Sequence, residues 1–162
     1  MPNKAVESAL NDQIRLEFES AYLYLSMAAY FESQNLPGFA HWMRVQHREE
    51  LEHAMKLFDF LLASGGRVQL RGLKEPAHDF GSPVAVMEQT LGHEQSITAA
   101  ITTLYELTLQ EKDYPSQLVL QWFISEQAEE EKSVSDIIAQ LAMVGDNKPA
   151  MLMMDRQLGS RQ

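Results

Sequence analysis

The sequence predicts an all-α fold: a four-helix bundle with one long crossover between its second and third helices and a short C-terminal fifth helix. Three observations predict it. Four long segments carry apolar residues in alternating steps of three and four, the period of one helix face. Short turns containing proline or glycine join the first pair and the last pair. The middle pair is separated by a long stretch with no helical rhythm. The 162 residues are expected to form one domain, residues 1–162, large enough to bury a sizeable core.

The first helix is expected over about residues 5–34, on the stripe Leu10, Ile14, Glu17, Ala21, Tyr24, Ala28, Phe31. Asn35-Leu36-Pro37-Gly38 makes the turn. The second helix runs from about Pro37 to Ser64, with the stripe Phe39, Met43, Gln46, Glu50, His53, Leu57, Leu61, and Gly65-Gly66 ends it. Residues 67–82 follow, with Gly72, Pro76 and Gly81. Nearly extended, this stretch reaches roughly 50 Å. The preceding helix is roughly 42 Å long, so the stretch can cross the whole bundle, and a crossover is the ordinary reason for a loop of this length.

Ser82-Pro83 opens the third helix, a cap residue followed by proline in the first turn. Its stripe is Met87, Leu91, Glu94, Ile97, Ile101, Leu104, and it ends near Glu111. After the turn at Lys112-Asp113-Tyr114-Pro115, the fourth helix runs to about Val144 on Leu120, Phe123, Gln127, Glu130, Val134, Ile137, Leu141. Pro149 begins the fifth, to about Leu158.

Composition narrows the chemistry. With 13 Lys and Arg against 23 Asp and Glu, the formal charge is −10. Such a chain is a poor binder of nucleic acid or anionic membrane and tends to attract cations. There is no cysteine, so any metal must take oxygen and nitrogen ligands. No stretch approaches the length of an apolar membrane span. The N-terminal residues lack the pattern of a signal peptide, so a cytoplasmic location is the expectation.

Each core stripe is interrupted by polar residues, and the interruptions fall at one level. Glu50 and His53, at i and i+3, project from the same helix face. The first two helices are antiparallel about a turn near Leu36, and reflecting Glu17 through it gives position 55, beside His53. Reflecting Glu94 through the turn near Asp113 gives position 132, beside Glu130. The crossover makes the second and third helices parallel, which brings Glu50 and Glu94 level. Glu17, Glu50, His53, Glu94, Gln127 and Glu130 should therefore form one buried cluster. An ionised carboxylate buried without a partner costs several kcal/mol. Two divalent cations would offset four carboxylates, and such a donor set suits iron, manganese or zinc.

On these residues the sequence resembles the bacterial non-haem ferritins. The resemblance covers nearly the whole chain. It includes Arg15-Leu16-Glu17-Phe18-Glu19, Glu50-Leu51-Glu52-His53, His93-Glu94-Gln95, Glu126-Gln127-Ala128-Glu129-Glu130, Pro149-Ala150 and Asp155-Arg156-Gln157-Leu158-Gly159. It implies a homo-oligomeric, hollow shell of 24 subunits that oxidises Fe(II) with O₂ or peroxide and stores Fe(III) mineral inside. By that resemblance Glu17, Glu50 and His53 would hold one iron, and Glu50 would bridge to a second held by Glu94 and Glu130. Gln127 would be a neutral group beside the pair, and Tyr24 would supply an electron. Glu49, Glu126 and Glu129, with Glu130 shared, would form a third iron site on the inner surface.

The departures from related families matter as much. Bacterioferritins repeat the Glu-x-x-His pair on a second helix, where this chain has Gln127 and Glu130. They place a haem-ligating methionine after the bridging glutamate, where this chain has Leu51, so no haem is expected. Mini-ferritins that protect DNA lack a fifth helix. The acidic three-fold pore of animal ferritins falls on Ser116, Gln117 and Leu120, none of them acidic. Met151, Met154 and Leu158 would line an apolar four-fold channel or simply pack the fifth helix. His41, His47, His78 and His93 read as surface or packing residues, and Trp42 and Trp122 as core and near-site packing.

Overall fold

A computed structural model describes residues 2–162. The chain forms α1 (Lys4–Ser33), α2 (Pro37–Ala63), α3 (Pro83–Gln110), α4 (Tyr114–Val144) and α5 (Lys148–Leu158). Each boundary falls within about two residues of its sequence expectation. Local chemistry sets the ends. Asn3, Ser82, Asp113 and Asn147 each accept a hydrogen bond from a backbone N–H in the first turn of the following helix. Proline in the first turn of α2, α3, α4 and α5 removes a donor that would lack a helical partner.

α2 begins differently. Its capping residue, Leu36, has no side-chain oxygen to offer. Asp155 of α5 supplies one, its Oδ1 accepting from Phe39 N at 2.9 Å. A carboxylate there also complements the positive end of the helix dipole. The approach is close enough to require glycine: a Cβ on Gly38 would lie 1.6 Å from the Asp155 carbonyl oxygen. So α5 is clamped onto the start of α2.

The crossover between Ala63 and Pro83 runs along the outside of α1. Arg67 N donates to Glu7, Asn11 brackets Arg67 and Gln69, and Lys74 N donates to Glu19. Ser26 donates to the Ala77 carbonyl and Tyr30 to that of Gly81. The segment thus follows α1 from Glu7 to Tyr30, roughly 35 Å along the helix axis. The crossover makes α2 and α3 parallel, while the short turns before Pro37 and Tyr114 set α1 antiparallel to α2 and α4 antiparallel to α3. Among the described residues, no helix is long and apolar enough to cross a membrane.

The core is in two parts. Tyr24, Phe31, Phe39, Met43, Met87, Val134 and Leu141 belong to one apolar cluster. Val6, Leu10, Ile14, Leu57, Leu61, Ile97, Ile101, Leu120 and Phe123 belong to the other. On every long helix the polar residues singled out above lie between the two.

Some expectations are corrected. Thr90, not Leu91, is the buried residue of its turn in α3. It hydrogen-bonds the Val86 carbonyl and so enters the core without an unmet polar group. Leu120 is buried, as its place on the α4 stripe requires, and Ser116 is buried too, so neither lines a pore. Met154 and Leu158 are buried in the first cluster with Met151 packed against it, so their role is to seat α5. The exposed methionine of that helix is Met153.

Candidate metal centre

Glu17 from α1, Glu50 and His53 from α2, Glu94 from α3, and Gln127 and Glu130 from α4 are all buried. Among the described residues, three groups of donors have ligand atoms within 4.8 Å of one another: Glu17, Glu50 and His53; Glu50, Glu94 and Glu130; and His53, Glu126 and Glu130. The first two share Glu50. One carboxylate, with two oxygens, therefore stands between two potential ion positions.

Neutral donors hold the carboxylates in place. Gln13 Nε2 donates to Glu17 Oε1 at 2.7 Å. Gln127 Nε2 donates to Glu94 Oε2 at 3.1 Å and to the Glu94 carbonyl at 3.2 Å. The Tyr24 hydroxyl donates to Glu94 Oε1, and Gln46 Nε2 to Glu130 Oε2. His53 Nδ1 lies 3.3 Å from Glu50 Oε2. The His53 ring meets Trp122 and Phe123 edge-on. Lys56 sits over the Trp122 ring, 4.3 Å from its centroid.

Burial dominates the electrostatics. Desolvation pushes Glu17 up to about 7 and Glu130 up to about 8. It also raises Glu50, with the charges of Glu17, Glu94 and Glu130 adding to the effect. Glu94 rises for the same first reason, although hydrogen bonds from Tyr24 and Gln127 pull it back. Burial, and then the Lys56 charge, lower His53 to about 4, so its ring is neutral at pH 7 and offers a lone pair. Burial and the Glu94 charge keep the Tyr24 hydroxyl protonated.

Two oxygens test whether a cation fits. Glu17 Oε2 and Glu50 Oε1 are buried and find no hydrogen-bond donor in the protein. Both side chains belong to the group of Glu17, Glu50 and His53. Unmet acceptors beside a neutral imidazole, in a cluster strained by like charge, are what a divalent cation relieves. The residues fit one.

The third-site residues are arranged differently from the sequence expectation. Glu126 joins His53 and Glu130, with its Oε1 3.8 Å from His53 Nε2. Glu129 is exposed and belongs to none of the donor groups. Glu49 is taken by Arg161, whose Nη2 donates to it at 2.8 Å. Both glutamates remain near enough to raise Glu126, after burial itself.

Sequence reasoning missed the supporting donors. Gln13 lies one helical turn before Glu17, the position from which its amide can reach the carboxylate. Gln46 was visible as a polar break in the α2 stripe. Nothing in the sequence pointed to Arg161. His93, read as packing, bonds Ser20 Oγ at 2.7 Å and meets Tyr24 edge-on.

Comparisons with known proteins place the whole chain among its relatives. A family model described as a ferritin-like domain matches residues 7–144. A probable bacterial non-heme ferritin-like protein of Haemophilus influenzae is 38% identical over 99% of this chain and 97% of its own length. A bacterial non-heme ferritin of Staphylococcus aureus is 34% identical over the same shares. The crystal structure of an open-pore ferritin from Archaeoglobus fulgidus superposes with a TM-score of 0.99 at 48% identity, covering 100% of this chain and 99% of that one. Two apolar half-cores divided by a carboxylate layer, and relatives matched from end to end, leave one assignment: the chain belongs to the ferritin-like family.

Proposed function

We propose that this chain stores iron in the cytoplasm, oxidising Fe(II) to Fe(III) with O₂ or peroxide at a paired site within each subunit. The ferric product is deposited as oxyhydroxide mineral inside a hollow shell of 24 copies. The observation that carries this reading is Glu50, shared between two donor groups in a buried layer where its own Oε1 and Glu17 Oε2 find no hydrogen-bond donor.

One Fe(II) is held by Glu17, Glu50 and His53, the other by Glu50, Glu94 and Glu130. The second position has no nitrogen donor and binds a first-row divalent ion less tightly. Iron is the substrate and supplies the electrons. The chain's residues hold the two ions side by side, exclude bulk water and give up the carboxyl protons as the ions enter. Gln127 and Tyr24 keep Glu94 aligned, and Tyr24 stands close enough to its carboxylate to serve as an additional electron donor. Glu126, with Glu130 shared and Glu49 and Glu129 nearby, forms a third iron site through which product moves toward the mineral.

Assembly has its own support. Leu70 and Leu73 on the crossover, Tyr22 and Leu25 on α1, Leu118 on α4 and Met153 on α5 are all exposed. Large apolar side chains spread over several faces fit a subunit with neighbours on several sides.

Fe(II) added in air should give rapid O₂ consumption and an amber ferric species. Glu50→Ala or His53→Ala should abolish the fast phase, because each removes a proposed ligand. Variants that oxidise iron as fast as the parent would remove the site assignment.

A further inference from the structure

Arg161 lies beyond α5 and outside every donor group, yet it reaches the edge of the metal layer. Its guanidinium stacks over the Trp42 ring, 4.4 Å from the centroid. Nη1 donates to the Trp42 carbonyl at 3.3 Å and to Gln46 Oε1 at 3.0 Å. Nη2 donates to Glu49 Oε2 at 2.8 Å. The Arg161 carbonyl in turn accepts from His41 Nε2 at 2.6 Å. The tail is thereby fastened along one side of α2.

Gln46 carries the contact inward. Its amide has one accepting end and one donating end. Arg161 can only donate, so it takes the oxygen and leaves the NH₂ facing Glu130, to which Gln46 donates. We propose that Arg161 is a positioning residue for the metal pair: by fixing the orientation of the Gln46 amide it holds Glu130 where it completes the group with Glu50 and Glu94. This rests on reading that group as the second iron position.

Without Arg161 the amide is free to turn over and set its oxygen against the Glu130 carboxylate. Glu130 is ionised when it ligates a cation, so that contact is repulsive and favours another rotamer. Lysine is no replacement. Its single ammonium cannot meet a backbone carbonyl, an amide oxygen and a carboxylate from one plane while stacking on an indole.

The test is calorimetric titration of the assembled full-length protein with Co(II), which binds without being oxidised by air. Among the binding steps of the parent, the one lost in Glu94→Ala identifies the second position and the one lost in His53→Ala the first. In Arg161→Ala the second-position step should weaken about tenfold, the usual cost of losing a group that supports a ligand. The step that depends on His53 should stay as it was. Arg161→Lys should behave like Arg161→Ala. In a Gln46→Met background, adding Arg161→Ala should change nothing further, because the two act in series.

Unchanged binding of both ions in Arg161→Ala overturns the proposal. So does an equal weakening of both steps with a lowered melting temperature, which would make Arg161 a tail anchor alone. A parent protein that binds one Co(II) or none overturns the paired-site reading as well, so the two failures are distinguishable.

Discussion

Glu50 is 1% exposed, and its carboxylate lies next to a neutral imidazole and within reach of three other carboxyls. Burial holds this residue, Glu17, Glu94 and Glu130 above the usual carboxyl range, while His53 falls to about 4. The signs work against each other. A raised carboxyl binds its proton more tightly folded than unfolded, so it stabilises the metal-free fold at low pH. That contribution is lost as pH rises through about 7 for Glu17 and about 8 for Glu130. The depressed His53 stabilises above its ordinary value and loses that contribution as pH falls toward 4. Between about pH 6.5 and 8.5 the carboxyls govern. The metal-free protein should therefore melt about 5–10 °C lower at the alkaline end, from about one pKa unit lost at each of two groups. Saturating Co(II) should remove or reverse that slope. Scanning calorimetry of both forms checks it, and a metal-free protein that gains stability over this window contradicts it. The buried polar cluster was legible in the sequence because a charged residue on an apolar stripe breaks a strict rhythm. Gln13 and Gln46 were harder to assign, because a neutral amide on or beside a stripe is common. Arg161 was not legible at all: no periodicity connects a tail residue with a helix more than a hundred positions away.

The element that most depends on a single residue is α5. Its Asp155 caps α2, and its backbone crosses α2 at Gly38 with no room for a methyl group. Gly38→Ala should cost about 3 kcal/mol, the upper range for forcing an extra methyl into a packed contact. Asp155→Ala should cost about 1 kcal/mol, the usual value of a lost cap. Gly72→Ala is the control: its Cβ would meet nothing, so the effect should stay within about 0.5 kcal/mol. Denaturant unfolding of the three variants orders them, and equal stability of Gly38→Ala and Gly72→Ala would contradict the clamp. The helix boundaries were readable because prolines, glycines and cap residues stand at the turns, and the crossover because its length matched a helix. The docking of α5 was only partly readable. Met151, Met154 and Leu158 allowed both a channel and a packing role, and burial of the latter two decides for packing.

At the scale of the molecule, the charge of −10 and the carboxylate layer belong to one design. An acidic protein draws in cations, and a buried cluster of raised carboxyls exchanges protons for them. Between two apolar half-cores this layer is costly when empty of cations and satisfied by a pair of them. Exposed apolar residues on α1, the crossover, α4 and α5 give the subunit several faces to bury. The measurement that tests iron storage most directly is electron microscopy of the protein after stepwise loading with Fe(II) in air. The account predicts hollow spheres of uniform size whose interiors become electron-dense as iron is added. Dispersed single subunits, or shells that stay empty while ferric precipitate forms outside, would contradict it.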